Sequence, residues 1–524
     1  MLRRQFLGAS TALFAMPAIA RAQGRNTLRF IPQADLAVLD PIWTTATVTT
    51  NHAHYVYETL YAVDSTLTPR PQMAEGHEVS EDGLLWRFRL REGLTFHDGT
   101  PVRAADVVAS MNRWMKRDSF ALLLAKVSEG WSAPDDRTVE LRLSKPFPPM
   151  LTLLSKAEAN VPVIMPERLA MTDANKAVTE VIGSGPYRFV PGEYSSGARA
   201  VYEKFGAYKP RSEANSWAAG SKAAFFDRVE WHIIPDPSTA ASALMSGEVD
   251  WWEQPLPDLL PMLARNRNLS LQVADKLGKV AFMRMNHLQA PFNNPKVRQA
   301  VMLAIRQEDY MRTAIGDDTS LWSESFSCFP KGTPYYTENG KSLMPGDLKA
   351  AQAALKASGY AGEKVVIINP TDFPSIGALG QVTFDLLKRM GFNVDLQESD
   401  WGTVVQRRGN RGPVESGGWS IMHTTGNSSL NINPAVSLMV RGRGANGWFG
   451  WWESAEAEAL VQRWLESTDP AEQLKLADQL SLLTMREVGS VPLGQFYIRT
   501  AFSKSLSGVQ QGPSPFPWSV RRNA

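Results

Sequence analysis

The segment 80–107, SEDGLLWRFRLREGLTFHDGTPVRAADV, admits few folds because it sets turn residues against a strict two-residue period. Asp82 and Gly83 form a turn dipeptide ahead of 84–90, where Trp86, Phe88 and Leu90 fall on one face and Arg87 and Arg89 on the other. That pattern is a half-buried strand entering from a hairpin. Glu92 with Gly93, then Asp98 with Gly99, supply two further reversals, and Thr100 followed by Pro101 is expected to open a helix continuing over 104–115.

At 524 residues the chain is too long for one hydrophobic core, so two or three domains are expected, and a 44% hydrophobic composition suffices to build them. The formal charge is +2, but Arg3, Arg4 and Arg21 lie in the first 22 residues, which hold no acid; the remainder is close to neutral. A near-neutral body gives no electrostatic ground for nucleic acid or an anionic membrane as partner. Residues 1–22 read as a leader: two arginines, an apolar run over 11–20, and small residues Ala20 and Ala22 before a cleavage expected at Gln23. Arg3, Arg4, Phe6 and Leu7 resemble the twin-arginine export pattern, although Leu2 and Gly8 depart from it, and ordinary secretion is the alternative. No cysteine follows the apolar run, so no lipid anchor is expected there, and the mature protein is expected in the periplasm. The single cysteine, Cys328, has no internal partner and is expected to be buried and inert.

No repeat or low-complexity linker divides the chain, so its domains are expected to be interwoven. Short apolar or alternating runs at 28–31, 187–190, 229–236, 282–286, 365–368 and 394–397 read as strands. Helices are expected at 51–60, from a Ser238 cap to Met245, from an Asn294 cap through Ile305, and over 348–357, 379–390, 454–467 and 470–486. This alternation argues for an α/β protein with mixed, mostly parallel sheets and ligand crevices at strand ends.

Seven short stretches then point one way. They are Leu39-Asp40-Pro41, VYETLYAVD from Val56, the opening segment, GSGPYRF from Gly183, SGEVD from Ser246, NNPKVRQAVMLAI from Asn293 and LKASGY from Leu355. In this order they resemble the peptide, nickel and opine class of extracytoplasmic solute receptors, solute-binding protein family 5. The resemblance implies a periplasmic-binding-protein-like two-lobe fold with a third small α+β domain inserted in the first lobe. It divides the chain into leader 1–22, lobe I at 23–66, 183–277 and 491–524, the extra domain at 67–182, and lobe II at 278–490. It further implies capture of a peptide or peptide-like solute between the lobes, delivery to an ABC permease of the inner membrane, no catalysis and no cofactor. A monomer is expected.

Peptide receptors of this family carry Gly-Trp and, three residues after the tryptophan, an aspartate that pairs with the ligand's amino group. Gly418 and Trp419 match, but Met422 stands at the aspartate position and His423 follows. A buried ammonium without a charged partner costs several kcal/mol, so Met422 argues against that anchoring. Candidate ligand contacts are Trp419, Ser420, Met422 and His423, with Trp401 at a tryptophan position of the family and Trp43, Thr45 and Thr47 in the loop after Pro41. Trp448 and Arg408 complete the set; Arg407, Arg408, Arg411, Arg441 and Arg443 flank Trp419 in sequence and could clamp a carboxylate or phosphate. For each tryptophan the competing reading is core packing, and for each arginine a solvated surface.

A metal chelate or haem as ligand is the alternative on the same fold, and a secreted hydrolase the remote one. His52 and His54 are spaced two apart, which on a helix gives no shared metal site. GRGANG from Gly442 matches a dinucleotide fingerprint only by letters, NGKS from Asn339 lacks the preceding glycine of a phosphate loop, and no G-x-S-x-G elbow occurs.

Overall fold

The computed structural model describes residues 26–467 and 469–523, so the leader read in 1–22 lies outside them. Two large mixed sheets dominate. One has seven strands, in the order Tyr187–Phe189, Arg199–Lys204, Arg228–His232, Thr27–Ile31, Trp251–Trp252, Arg499–Ser503 and Leu269–Val273. The other has six, in the order Trp322–Ser323, Val491–Phe496, Lys279–Met285, Ile421–Asn427, Lys364–Pro370 and Asn393–Ser399. The expectation of mostly parallel sheets is corrected. Parallel pairing is confined to the two neighbours of Thr27–Ile31 and the two neighbours of Lys364–Pro370, and every other pairing in these two sheets is antiparallel. The helices that cross over in parallel units are accordingly few, and long antiparallel returns from distant sequence fill the remaining places.

The opening segment builds a third, four-stranded antiparallel sheet from Ala74–Val79, Leu85–Leu90, Thr138–Leu143 and Ser128–Ser132. Trp86, Phe88 and Leu90 are buried and Arg87 and Arg89 exposed, as the two-residue period requires. Helix Ala104–Trp114 packs on this sheet, but Thr100 does not cap it. Thr100 Oγ1 donates to Asp98 within the preceding turn, and at the helix start Asp106 Oδ2 accepts from the backbone N–H of Arg103 at 2.8 Å. The Ser238 cap is corrected likewise: Asp236 accepts from Thr239 N, and Pro237 takes the first helical position.

Two of the recognised stretches owe their residues to packing. Asp40 is buried against Arg113, with Arg113 Nη2 donating to Asp40 Oδ2 at 2.7 Å and Nη1 to Oδ1 at 3.2 Å; Asp40 also accepts from the backbone N–H groups of Ile42 and Val178. This pins the loop 39–47 to the small domain's helix. Gly183 sits where a Cβ would come within 2.0 Å of the Val56 carbonyl oxygen, so any side chain would push the strand entry off the end of helix Thr47–Val56.

The chain joins the two large sheets through two adjacent connections. Residues 274–278 lead from Leu269–Val273 into Lys279–Met285, and 497–498 lead back from Val491–Phe496 into Arg499–Ser503. Val491–Phe496 is buried throughout and pairs with both Lys279–Met285 and Trp322–Ser323, inside the six-stranded sheet.

Candidate functional site

A cleft opens between the two large sheets, beside Lys279 at the head of the strand that follows the first connection. From the first-lobe side it is lined by Gln33, Thr45, Thr47, Asp118, Lys156 and Asn160; from the second by Trp401, Arg408, Thr424, Thr425, Met439 and Trp448; Lys279 stands at the junction.

Part of the charge in this cleft is already matched. Asp118 pairs with Lys156, both nearly buried, and its Oδ1 also accepts from the backbone of Phe120 and Ala121. Lys279 is half-buried and forms no ion pair among the described residues; its Nζ donates to Gln33 Oε1 at 3.4 Å, and the charges of Glu253, Glu158 and Asp275 oppose the desolvation that lowers its pKa. Arg408 differs. It is 6% exposed, its Nε has no hydrogen-bond partner, and no carboxylate forms an ion pair with it among the described residues. Its guanidinium lies 4.5 Å from the Phe449 ring centroid and 5.9 Å from that of Trp448, and burial pushes its pKa down to about 10. A dry, unpaired guanidinium held between aromatic faces attracts a planar anion strongly.

The ten sequence candidates divide evenly. Trp401, Thr45, Thr47, Arg408 and Trp448 line the cleft. Trp419, Ser420, Met422, His423 and Trp43 do not. Trp419 is fully buried, 5.7 Å from Trp451 between ring centroids, and its Nε1 donates to the Arg408 carbonyl at 3.0 Å. It positions Arg408 from behind instead of facing solute, because Gly418 is locked against Gly412, whose carbonyl oxygen a Cβ would meet at 2.0 Å, and the indole turns inward. Met422 packs in the same apolar cluster with Val366, Ile368 and Val404. His423 projects from the other face of its strand, sharing a 2.7 Å hydrogen bond with Thr383, and burial lowers its pKa to about 3. Ser420 Oγ accepts from Val366 N within the sheet, and Trp43 Nε1 donates to the Asn175 carbonyl at the edge of the small domain. Of the other arginines, Arg407 donates to the backbone at Gly417 and Gly418, and Arg411 to Ala445.

Sequence reading missed Gln33, Asp118, Lys156, Asn160 and Lys279. Lys279 alone left a trace, a lysine heading the apolar run KVAFMRM. The histidines read as poor metal ligands are buried core groups: His52 Nδ1 meets Tyr202 Oη at 2.9 Å, its Nε2 being buried without a partner, and His54 Nε2 donates to the Ala157 carbonyl at 2.9 Å. Among the described residues no group of three or more His, Cys, Asp or Glu side chains is arranged to hold a metal. Cys328 is buried and its thiol pushed up to about 12 by desolvation.

Two lobes joined by a double connection, with a ligand-sized cleft at the joint, define a solute receptor of the periplasmic binding type. The chain matches the model of bacterial extracellular solute-binding proteins, family 5, over residues 68–434, and belongs to that family. A probable peptide ABC transporter periplasmic-binding protein, y4tO, of Sinorhizobium fredii is 36% identical over 521 residues, covering 98% of this chain and 97% of the relative. The glutathione-binding protein GsiB of Salmonella typhi is 24% identical, with 96% and 94% covered. Among solved structures, the periplasmic binding protein DppA of Helicobacter pylori in complex with the peptide STSA superposes with a TM-score of 0.81 at 21% identity, over 96% of this chain and all of that one. Among the described residues no helix is long and apolar enough to cross a membrane.

Proposed function

We propose that this protein is the receptor of an ABC importer and captures a small peptide or peptide-like solute by its carboxylate, which Arg408 receives at the floor of the cleft. The observation that carries this reading is the buried, unpaired Arg408 guanidinium between Phe449 and Trp448. Trp401 and Phe373, packed edge to face at 5.2 Å, supply an apolar wall, and Thr45, Thr47, Thr424 and Thr425 offer adaptable hydroxyls. The names of y4tO and GsiB and the peptide in the DppA complex support a peptide-like solute. No histidine lines the cleft among the described residues, so nothing there favours a metal chelate.

The acidic side of recognition is weak by comparison. Asp118 is the one carboxylate of the cleft lining and already belongs to Lys156, while Met422 is apolar and buried. The ligand's carboxylate therefore matters more than its amine. Isothermal titration of a di- and tripeptide panel tests this. Amidation of the C-terminus should weaken binding at least about ten-fold, the loss of one charge-assisted pair, and N-acetylation should weaken it less; the reverse order would refute the assignment. Residues 1–22 are proposed as the leader that brings the chain to the periplasm, and the mature protein is proposed to act as a monomer.

A further inference from the structure

Arg441 and Arg443, left over from the cleft, meet a second site. Beyond Asp118 the chain enters the small domain's helix Ala121–Ala125, and beyond Met439, another cleft residue, it enters the loop 441–443 of the second lobe. Between these two stretches lies a pocket, open to solvent on one side, lined by Leu122, Leu123, Ala125, Lys126, Arg441 and Arg443. It has three cationic side chains and no acidic one.

The acids nearby are committed elsewhere. Glu458 takes Arg441 Nε and Nη2 at 2.9 and 2.6 Å, and Asp118 takes Lys156. Arg441 is 3% exposed and its Nη1 is buried without a partner. Arg443 is half-buried, and neither it nor Lys126 forms an ion pair with a described residue. Burial and the neighbouring Arg441 disfavour the Arg443 charge, while Glu458 and Asp118 favour it. Arg443, half-buried and unpaired, and the unsatisfied buried Nη1 of Arg441 line this cavity with the solvent-exposed Lys126 at its rim, and an anion lying among them would supply the missing acceptor.

We propose that this cavity is an anion site, for a carboxylate or phosphate, that bridges the small domain and the second lobe and holds the cleft shut. Its wall belongs half to each lobe, so an anion contacting both binds the closed arrangement better than an open one and shifts the population toward it. The anion is either a second acidic group of the captured solute or a free inorganic ion. The site rests on the reading of the cleft as one that closes on solute, but its charge pattern stands apart from Arg408.

The test uses the mature protein and the double variant Lys126→Gln with Arg443→Gln, which leaves Arg441 on Glu458 and touches no residue of the main cleft. In the first arm, inorganic phosphate is titrated against chloride at constant ionic strength and the melting temperature followed. A free-anion site gives a saturable rise of a few degrees that the double variant loses and Arg408→Gln keeps. In the second arm, affinities are compared for a peptide with two carboxylates and its side-chain amide. A solute-acid site gives about a ten-fold loss for the first and none for the second in the double variant. Identical behaviour of wild type and double variant in both arms overturns the proposal. Failure of every peptide to bind wild type would count against the cleft reading, and the phosphate arm then decides the bridging site alone.

Discussion

A buried guanidinium that no carboxylate neutralises is an expensive feature, and the residues around Arg408 show how it is maintained. Phe449 and Trp448 give its faces cation–π contact, worth about 2 kcal/mol or more when desolvated. Trp419 fixes its backbone through the Nε1 hydrogen bond to the Arg408 carbonyl. Replacing Trp419 with Phe removes that donor and little volume. The expected result is a stability loss of about 1 kcal/mol, together with reduced preference for free-acid over amidated peptide in paired titrations. A purely structural role would lower both affinities equally. Trp419 thus matters to the site without touching it, which a sequence pattern cannot distinguish from contact. Thr45, Thr47 and Trp401 line the cleft because the loop after Asp40 and the strand end at Ser399 are fixed by local chemistry that the sequence displays. Ser420, Met422 and His423 lie buried away from the cleft lining, because burial along Ile421–Asn427 is set by what the six-stranded sheet packs against on each face.

At the scale of elements, the junction strand Lys279–Met285 opens with a lysine that three acids from three other segments enclose. Burial pushes Glu158 and Glu253 up to about 7 and Asp275 to about 6, against the pull of Lys279 and their hydrogen bonds. Glu158 reaches across to accept from Asn427 and Ser429 of the second lobe. A carboxylate whose folded pKa lies above its ordinary 4.5 favours the folded state while protonated; that contribution is present below about 4.5 and is lost as pH rises through about 7. Glu253→Gln abolishes the loss, and Asn51, whose Oδ1 is unpartnered beside it, can accept the new amide after a flip. Urea unfolding should show the variant gaining on wild type progressively between pH 4.5 and 8, by at most about 3 kcal/mol. Parallel curves would contradict the assignment. Elements themselves were largely legible: Leu348–Ala357 and Pro470–Arg486 fall where apolar spacing placed them, and Asn294 caps its helix. Caps failed at Ser238, where Asp236 two residues earlier was the better acceptor, and at Thr100, which is held in a turn by Asp98 while the helix begins only at Ala104.

Across the whole molecule, the seven-stranded sheet is assembled from the beginning, middle and end of the described chain, and the six-stranded sheet takes Val491–Phe496 back from the far end. Such pairings are invisible to local pattern, which is why the order of words along the chain revealed the family sooner than the alternation of elements revealed the sheets. The cleft follows from this weave: its lining runs from Gln33 to Trp448, and no single segment holds it. The central claim is that this composite cleft holds one small acidic solute on Arg408. Mass spectrometry of material released by denaturing freshly purified protein addresses it directly. We expect a single carboxylate-bearing solute near one per chain from wild type, depleted from Arg408→Gln purified in parallel. Equal retention by the variant, or a solute without an acidic group, would contradict the account.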